Sequence, residues 1–346
     1  MKESPLLALF TGAGAAIGDY RGAQTALRFP HEVADPFWAA ALCDWSWRAR
    51  LAVTGPEARK WLNGIISANV RDLAPGRATP SFFLDPKGRV LSYFDVVAAA
   101  NDGFLLLCDQ SAAGDLAAQL RRYVFRAQVE IADRTDEGIS LGVCGPEAEA
   151  ALGRLGPVNL PTAAGTWTET TFQPGITARV LRWVWGGIVT FEILVGGTSA
   201  GGLWSRLAAV AQPAGAEAQE RQRIAGGVAR PGLDLRPTDL APETGLFAAV
   251  GLAKGCYVGQ EIVERVRARG AVHRQLRRLR FAGPVAAGAK IVAADREVGE
   301  VTSAAPLADG QTAALGYLRN EAASAPFTAD GQPGHVADAP AAGQNA

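Results

Sequence analysis

Apolar and polar positions alternate in short blocks, and the pattern sharpens from Ala49 onward. Ala49–Val53 reads as a strand, Gly55-Pro56 as a turn, and Glu57–Ile66 as a short helix carrying Ala58, Trp61, Leu62, Ile65 and Ile66 on one face. Phe82–Leu84, Asp85-Pro86-Lys87-Gly88 and Val90–Val97 form a hairpin pattern, because Pro at the first central position and Gly at the fourth suit a type I turn. Phe104–Cys108 is a strand, Ala112–Tyr123 a helix with Leu116 and Leu120 on one side, and Val129–Ala132 and Ile139–Val143 are strands. Gly156–Thr170, rich in Pro, Gly and Thr, marks a loop. Ala178–Trp185 and Ile188–Val195 then pair across Gly186-Gly187, a good two-residue hairpin turn. Leu203–Ala211 and Ala216–Ala225 are helical. From Pro231 to Gly259 the chain is punctuated by Pro and Gly for far longer than an ordinary connection, and loops of that length are usually functional or disordered. From Gln275, short strands separated by Gly predict a small β barrel.

Strands and helices mixed in this way, without a regular strand-helix-strand period or a phosphate-binding glycine fingerprint, predict an α+β fold with antiparallel sheets. Four blocks follow. Residues 1–40, with Tyr20, Phe29, Phe37 and Trp38 scattered among Gly and Ala, read as an irregular leader. Residues 41–265 form the body, as two sub-domains with a boundary near 150, and residues 266–323 form the barrel. Residues 324–346, with Phe327 and Val336 as their only larger apolar side chains, read as a disordered tail.

Composition narrows the class. Lys+Arg 34 balance Asp+Glu 34, and hydrophobic residues make up 48%, so bulk charge supports neither a polyanion binder nor a disordered chain. No apolar run approaches the roughly 20 residues of a membrane-spanning helix, and the N-terminus lacks the pattern of an export signal. Cys43, Cys108, Cys144 and Cys256 are too far apart for a dense disulfide framework or paired metal ligands, so no metal site is expected. The expectation is a soluble protein of the reducing cytoplasm.

The most unusual stretch is Lys254-Gly255-Cys256-Tyr257-Val258-Gly259-Gln260-Glu261. Glycines on either side of Cys256 let the backbone turn tightly, and Lys254 is close enough in sequence to stabilise a thiolate, so an exposed reactive thiol is one reading. A small buried filler is the other. The histidines, His31, His273 and His335, supply no recognisable partner for a catalytic cysteine. Downstream, seven arginines fall between positions 265 and 280. They suit phosphate or RNA contact, or else Arg265, Arg267 and Arg269, two apart, line one solvated face of a strand.

The 254–261 motif resembles the signature of the YgfZ-type folate-binding proteins, relatives of the glycine cleavage system T protein that act in iron–sulfur cluster maintenance and affect tRNA modification. The likeness runs over about residues 48–320 and includes Val53-Thr54-Gly55-Pro56-Glu57-Ala58, Leu62-Asn63-Gly64, Gly88-Arg89-Val90, Phe191-Glu192-Ile193, Pro242-Glu243-Thr244-Gly245-Leu246 and Val298-Gly299-Glu300-Val301-Thr302-Ser303, in the family's order. It implies a tripartite body with a central folate cleft, a C-terminal barrel and tetrahydrofolate or a derivative as ligand. It further implies Glu192 as partner of the pterin amino and ring N–H groups, Arg223, with Arg230 second, for the anionic tail, and Glu243, Tyr257, Gln260 and Glu261 bordering the cleft. Cys256 would be the functional thiol with Lys254 its electrostatic partner, on the backbone of Gly255 and Gly259. Iron–sulfur proteins or their assembly machinery would be the partners. The T protein's adjacent aspartates align with Ser92 and Tyr93, leaving Asp95 displaced by about 6–7 Å, beyond proton-transfer reach; Ile188 stands where that family has an acidic residue. These departures weigh against a folate-dependent aminomethyltransferase or demethylase, which would need Asp95. An RNA-binding protein is the remaining alternative, without a stacking platform of aromatic residues.

Overall fold

The computed structural model describes residues 2–30, 32, 39–99, 103–270 and 272–337. The chain divides into two compact units, each discontinuous in sequence: residues 1–65, 69–81 and 94–219 form one, and residues 66–68, 82–93 and 220–346 the other.

The first unit opens with β1 (Lys2–Glu3), α1 (Leu7–Gly12), β2 (Ala16–Tyr20) and β3 (Ala23–Arg28), a three-stranded sheet of order β1-β3-β2 with a helical turn. Next come β4 (Ala41–Asp44), β5 (Arg48–Thr54), α2 (Ala58–Ile65), β6 (Ala78–Leu84), β7 (Val90–Ala98), β8 (Phe104–Asp109), α3 (Gln110–Arg121) and β9 (Glu130–Asp133). Strands β6-β7-β8-β5-β9 make a five-stranded sheet in that order. The remainder is β10 (Gly138–Cys144), α4 (Ala148–Gly153), β11 (Thr166–Gln173), β12 (Ile176–Trp185), β13 (Ile188–Gly196), α5 (Gly197–Ala208) and β14 (Gln212–Ala214). A six-stranded sheet runs β11-β12-β13-β10-β4-β14.

Helices α4 and α5 cover one face of the six-stranded sheet: Ala151, Leu152, Leu203, Trp204 and Leu207 share a core with Leu141, Val143, Val180, Phe191 and Ile193. Its other face packs Leu181, Trp183 and Leu194 against Ala78, Val97 and Leu107 of the five-stranded sheet. Strand alternation accounts for both faces, since odd and even positions of β13 point to opposite sides and both are buried. The hairpin between β12 and β13 turns on Gly186 and Gly187, whose φ angles of 59° and 79° are open to glycine at no steric cost.

The second unit contains α6 (Ala216–Gly226) from residue 220 onward, α7 (Gln260–Arg269) and a closed barrel of β15 (Arg274–Phe281), β16 (Lys290–Ala293), β17 (Arg296–Pro306), β18 (Thr312–Arg319), β19 (Phe327–Ala329) and β20 (Gln332–Val336). Closure pairs β15 with both β18 and β20, and β16 with β19, so no edge strand is left open.

The α+β fold with antiparallel sheets and a C-terminal barrel is therefore present, with four local corrections. Residues 2–28 are not irregular: their elements are too short to show a period, yet Leu6 and Phe10 sit in the main core. The leader residues 31 and 33–38, including His31, Phe37 and Trp38, lie outside the described residues. Residues 166–170 belong to a strand, because the threonines of Thr166–Gln173 act as β-branched strand formers rather than loop residues. No boundary falls near 150, since β10 and β13 on either side of it pair in one sheet, and residues 220–265 cluster with the barrel rather than the body. The supposed tail supplies two barrel strands, with Phe327 in the barrel core and Val336 packed against it; residues 338–346 lie outside the described residues.

Phe327 is 3% exposed and meets the Phe281 ring edge-on at 6.0 Å. Phe327→Ala is expected to lower stability to urea by about 3–5 kcal/mol. An unchanged midpoint would show that the last two strands contribute nothing to the barrel.

Candidate functional site

In the first unit, the space between the two sheets is not wholly apolar. Arg48, at the start of β5, is buried and points between them. Its Nε and Nη2 donate to the two carboxylate oxygens of Glu192 at 3.1 Å each, its Nη2 also donates to Asp95 at 2.5 Å, and its Nη1 donates to the Leu107 carbonyl at 3.3 Å. Trp183 Nε1 donates to Glu192 at 3.0 Å. Glu192 is 0% exposed, and both of its oxygens are occupied.

One guanidinium here faces two carboxylates. Burial alone would weaken Arg48's hold on its proton, but Glu192 and Asp95 reverse that and raise it above the ordinary arginine range. Asp95 is pushed up from 3.8: burial is the larger cause, Arg48 opposes it, and Glu192 adds to it. The physical sense is plain, because a single positive charge cannot neutralise two buried negative ones.

In the second unit, Asp234 is the corresponding centre, with no exposed surface. It accepts from Arg223 Nη1 at 2.6 Å, the Arg230 backbone N–H at 2.9 Å, the Ser303 hydroxyl at 2.7 Å and the Thr302 hydroxyl. Arg223 also meets Glu220 at 2.6 Å and the Val228 carbonyl at 2.7 Å. Arg230 lies 3.7 Å from Glu220. Glu243 receives a two-pronged contact from Arg274 at 3.2 and 3.1 Å, and takes the Leu240 N–H. Arg274 and Arg236 both pair with the fully buried Asp239.

The 254–261 motif is anchored at alternate points. Lys254 is buried and donates to the carbonyls of Ile66 and Ala68 at 2.6 Å each, with its ammonium 4.9 Å from the Tyr257 ring. Tyr257 packs in the core with Phe82, Leu84 and Leu235, and burial, then Glu264, pushes its phenol up to about 12. Between these anchors Gly255 and Cys256 are exposed. Gly259 has φ 83°, and a Cβ there would lie 2.5 Å from the Asp85 carbonyl, so only glycine fits at the head of α7. Gln260 opens that helix half-buried, and exposed Glu261 pairs with Arg265 at 2.5 Å.

Several expectations change. Glu192 and Arg223 are buried charges, each engaged inside its own unit. Lys254 directs its donors to main-chain carbonyls. Arg265 and Arg267 lie on helix α7 rather than on a strand, paired with Glu261 and Glu264 one turn away. Arg274, Arg277, Arg278 and Arg280 also have partners, in Glu243, Asn320, the Ala225 carbonyl and Asp309. A basic strip formed by 265–280 is thus largely internally matched. Arg48, Asp234 and Asp239 had no signal in apolar periodicity; only the arginine set among Trp45, Trp47 and the Leu51 strand hinted at an inward charge. Among the described residues no cluster of His, Cys, Asp and Glu suits a metal ion, and no helix is long and apolar enough to cross a membrane.

Two antiparallel-sheet layers enclosing a charged core, joined in sequence to a closed six-stranded barrel, define a protein of the glycine cleavage T type. Residues 6–254 match the GCVT N-terminal domain family, and residues 273–343 match the CAF17 C-terminal beta-barrel domain. The chain belongs to the GCVT family and carries a CAF17-type barrel. It is 28% identical over 346 residues to an aminomethyltransferase of Streptomyces coelicolor, covering 95% of this chain and 92% of that one. It is 29% identical over 290 residues to the tRNA-modifying protein YgfZ of Vibrio vulnificus, covering 78% and 82%. A chloroplastic relative from Arabidopsis thaliana is 27% identical over 289 residues, and the chain spans 66% of its length. The crystal structure of the glycine cleavage system aminomethyltransferase T from Bartonella henselae shares the fold, with a TM-score of 0.88 at 22% identity over 99% of both chains.

Arg48→Met, which strands two buried carboxylates, is expected to cost about 3–5 kcal/mol in denaturant unfolding. Asp95 has a raised folded-state pKa, so its contribution to stability is complete below 3.8 and declines as pH rises through the folded value. Relative to Asp95→Asn, wild-type stability should therefore fall with rising pH above 3.8; a difference that grows with pH would mean that Arg48 holds Asp95 ionised.

Proposed function

We propose that this chain is a folate-binding protein that supports iron–sulfur cluster assembly or repair, and through it tRNA modification, with Cys256 as the functional thiol. The observation that carries this reading is the presentation of Cys256: the sole exposed cysteine of four, on a segment pinned by buried Lys254 on one side and buried Tyr257 on the other. An exposed thiol on an anchored backbone suits transient contact with a partner. The similarity to the protein called tRNA-modifying YgfZ, and the CAF17-type barrel, support the same context. One exposed thiol cannot furnish the several thiolates of a cluster site, so any cluster contact is shared with an iron–sulfur protein or its assembly machinery, in the cytoplasm.

Tetrahydrofolate or a derivative is the proposed ligand. Glu192 fits the pterin role in one respect visible in the structure: its two oxygens already hold a planar pair of N–H donors, those of Arg48. A pterin edge offers a similar pair. Taking it would require Arg48 to release Glu192, and Asp95 remains to match the guanidinium charge. Arg223 and Arg230 are tied to Glu220 and the Asp234 loop, Glu243 is gripped by Arg274, and Glu261 pairs with Arg265, so these residues order their own segments within the second unit.

The aminomethyl-transfer alternative needs Asp95 as an acid or base. Buried and held by Arg48, that carboxylate is committed elsewhere, which favours binding over transfer.

Calorimetry with tetrahydrofolate should show binding, weakened roughly tenfold to a hundredfold by Glu192→Gln, as expected for loss of charge-assisted hydrogen bonds. Cys256→Ala should fold and bind folate normally while losing activity in a cluster-repair assay. Full repair activity in that variant removes the thiol from the proposal, and unchanged folate affinity in Glu192→Gln removes Glu192.

A further inference from the structure

Arg50 follows Arg48 on the same face of β5, yet its surroundings differ. It is 8% exposed, and its buried Nε and Nη2 have no hydrogen-bond partner. The carboxylates that influence it are Glu192 and Glu137. Glu192 is engaged by Arg48 and Trp183, while Glu137 is paired with Arg134 at 2.6 Å. Both act on Arg50 only at longer range, and among the described residues no carboxylate forms an ion pair with it.

Besides those carboxylates, the groups around it are cationic or orphaned, and Glu169 is the carboxylate that acts on Arg179. Arg179, half-buried on β12, acts on Arg50 electrostatically; its own Nε is buried without a partner, and its guanidinium lies 4.1 Å from the Trp167 ring. Arg179 is opposite Leu194 on β13, and Leu194 is opposite Ser140 on β10, so Arg179 and Ser140 share one face of the sheet. The Ser140 hydroxyl is fully buried and also unpartnered. Arg50 lies against this strand: a Cβ added to Gly138, on the same face two residues before Ser140, would come within 3.1 Å of Arg50 Nη1. Lys2, bonded to the Thr135 carbonyl and 3.6 Å from Asp136, adds a further positive charge that feels Arg50.

Buried donors without acceptors, and guanidinium groups packed near one another, are both costly. A water molecule relieves the first but leaves the second. An oxyanion relieves both, since a guanidinium fork and a hydroxyl match the oxygens of a carboxylate or phosphate. We propose that Arg50, Arg179 and Ser140 form a site for a small oxyanion, a carboxylate or a phosphate group, inside the first unit and separate from the Arg48–Glu192–Asp95 cluster. Burial pulls Arg50 down to about 10 against the opposing influence of Glu192, with Arg179 adding to the fall and Glu137 resisting it.

The test uses the full chain, titrated with inorganic phosphate or with acetate at constant ionic strength made up with chloride, following the unfolding temperature and, for phosphate, the ³¹P line width. Wild type should show a saturable rise in unfolding temperature with at least one of the two anions. Arg50→Gln and Arg179→Gln should each weaken that saturable effect roughly tenfold or more, the loss of about one charge-assisted contact. A response to phosphate alone assigns the site to phosphate groups, with ³¹P broadening that the variants lose, and a response to acetate assigns it to carboxylates. Should Arg50→Gln fail to fold, the half-buried Arg179→Gln decides the matter. Absence of a saturable effect in wild type, or the same effect in the variants, overturns the proposal.

Discussion

A guanidinium buried between two sheets must be matched by acceptors, and Arg48 is matched by more negative charge than it can neutralise. That imbalance constrains the first unit. Arg48 is fixed by β5, Asp95 by β7 and Glu192 by β13, so the three strands must keep a register in which their charged side chains enter the space between the two sheets. A slip of one residue in any of them would turn its charge to the opposite face and leave the others uncompensated. Trp183, donating to Glu192 from the neighbouring strand, makes the register of β12 and β13 part of the same condition. The surplus negative charge also determines what Asp95 can do: it is drawn toward its protonated form by burial and toward ionisation by Arg48, which limits its use as a reagent for anything else.

The second unit resolves the burial of charge by giving each buried carboxylate several donors. Asp234 is a single carboxylate served by one guanidinium, two hydroxyls and a backbone N–H, so its charge and its lone pairs are both accounted for. Asp239 and Glu243 do the same for the next turn of chain through Arg236 and Arg274. These contacts explain how a passage of nearly thirty residues with little regular structure keeps a defined course: its backbone is tied by buried carboxylates where a strand or helix would have used ladder hydrogen bonds.

Much of this was legible in the sequence where one face of an element is apolar. The hairpins at 85–88 and 186–187, α2 and α3 and most barrel strands announce themselves by period and turn chemistry. The polar elements did not. The strand beginning at Thr166 is written in threonine and reads as loop, α7 is written in arginine and glutamate and reads as charge, and the closing strands β19 and β20 carry two larger apolar residues between them. The buried ionic centres were harder still. Nothing in a one-dimensional pattern distinguishes Arg48 from an exposed strand arginine, because its burial is decided by Glu192, 144 residues away. Glu192 is marked only by the family resemblance, whereas Cys256 and its motif stand out by their own residues; neither signal gives the partners.

The partners alter how the motif at 254–261 is understood. Read as text, Lys254 beside Cys256 suggests a cation lowering the pKa of a thiol. Folded, the ammonium is spent on the Ile66 and Ala68 carbonyls, and the alternation of buried Lys254, exposed Gly255 and Cys256, and buried Tyr257 describes a mechanical arrangement: two anchors with a side chain held out between them. Replacing Lys254 would therefore release the loop as well as remove a charge, and an effect of that replacement on thiol chemistry would not by itself reveal an electrostatic role. Tyr257 separates the two causes, since it shares the anchoring and carries no charge at neutral pH. Loss of its packing without loss of the ammonium isolates the mechanical contribution, and on the geometry observed that contribution is what sets the exposure of Cys256.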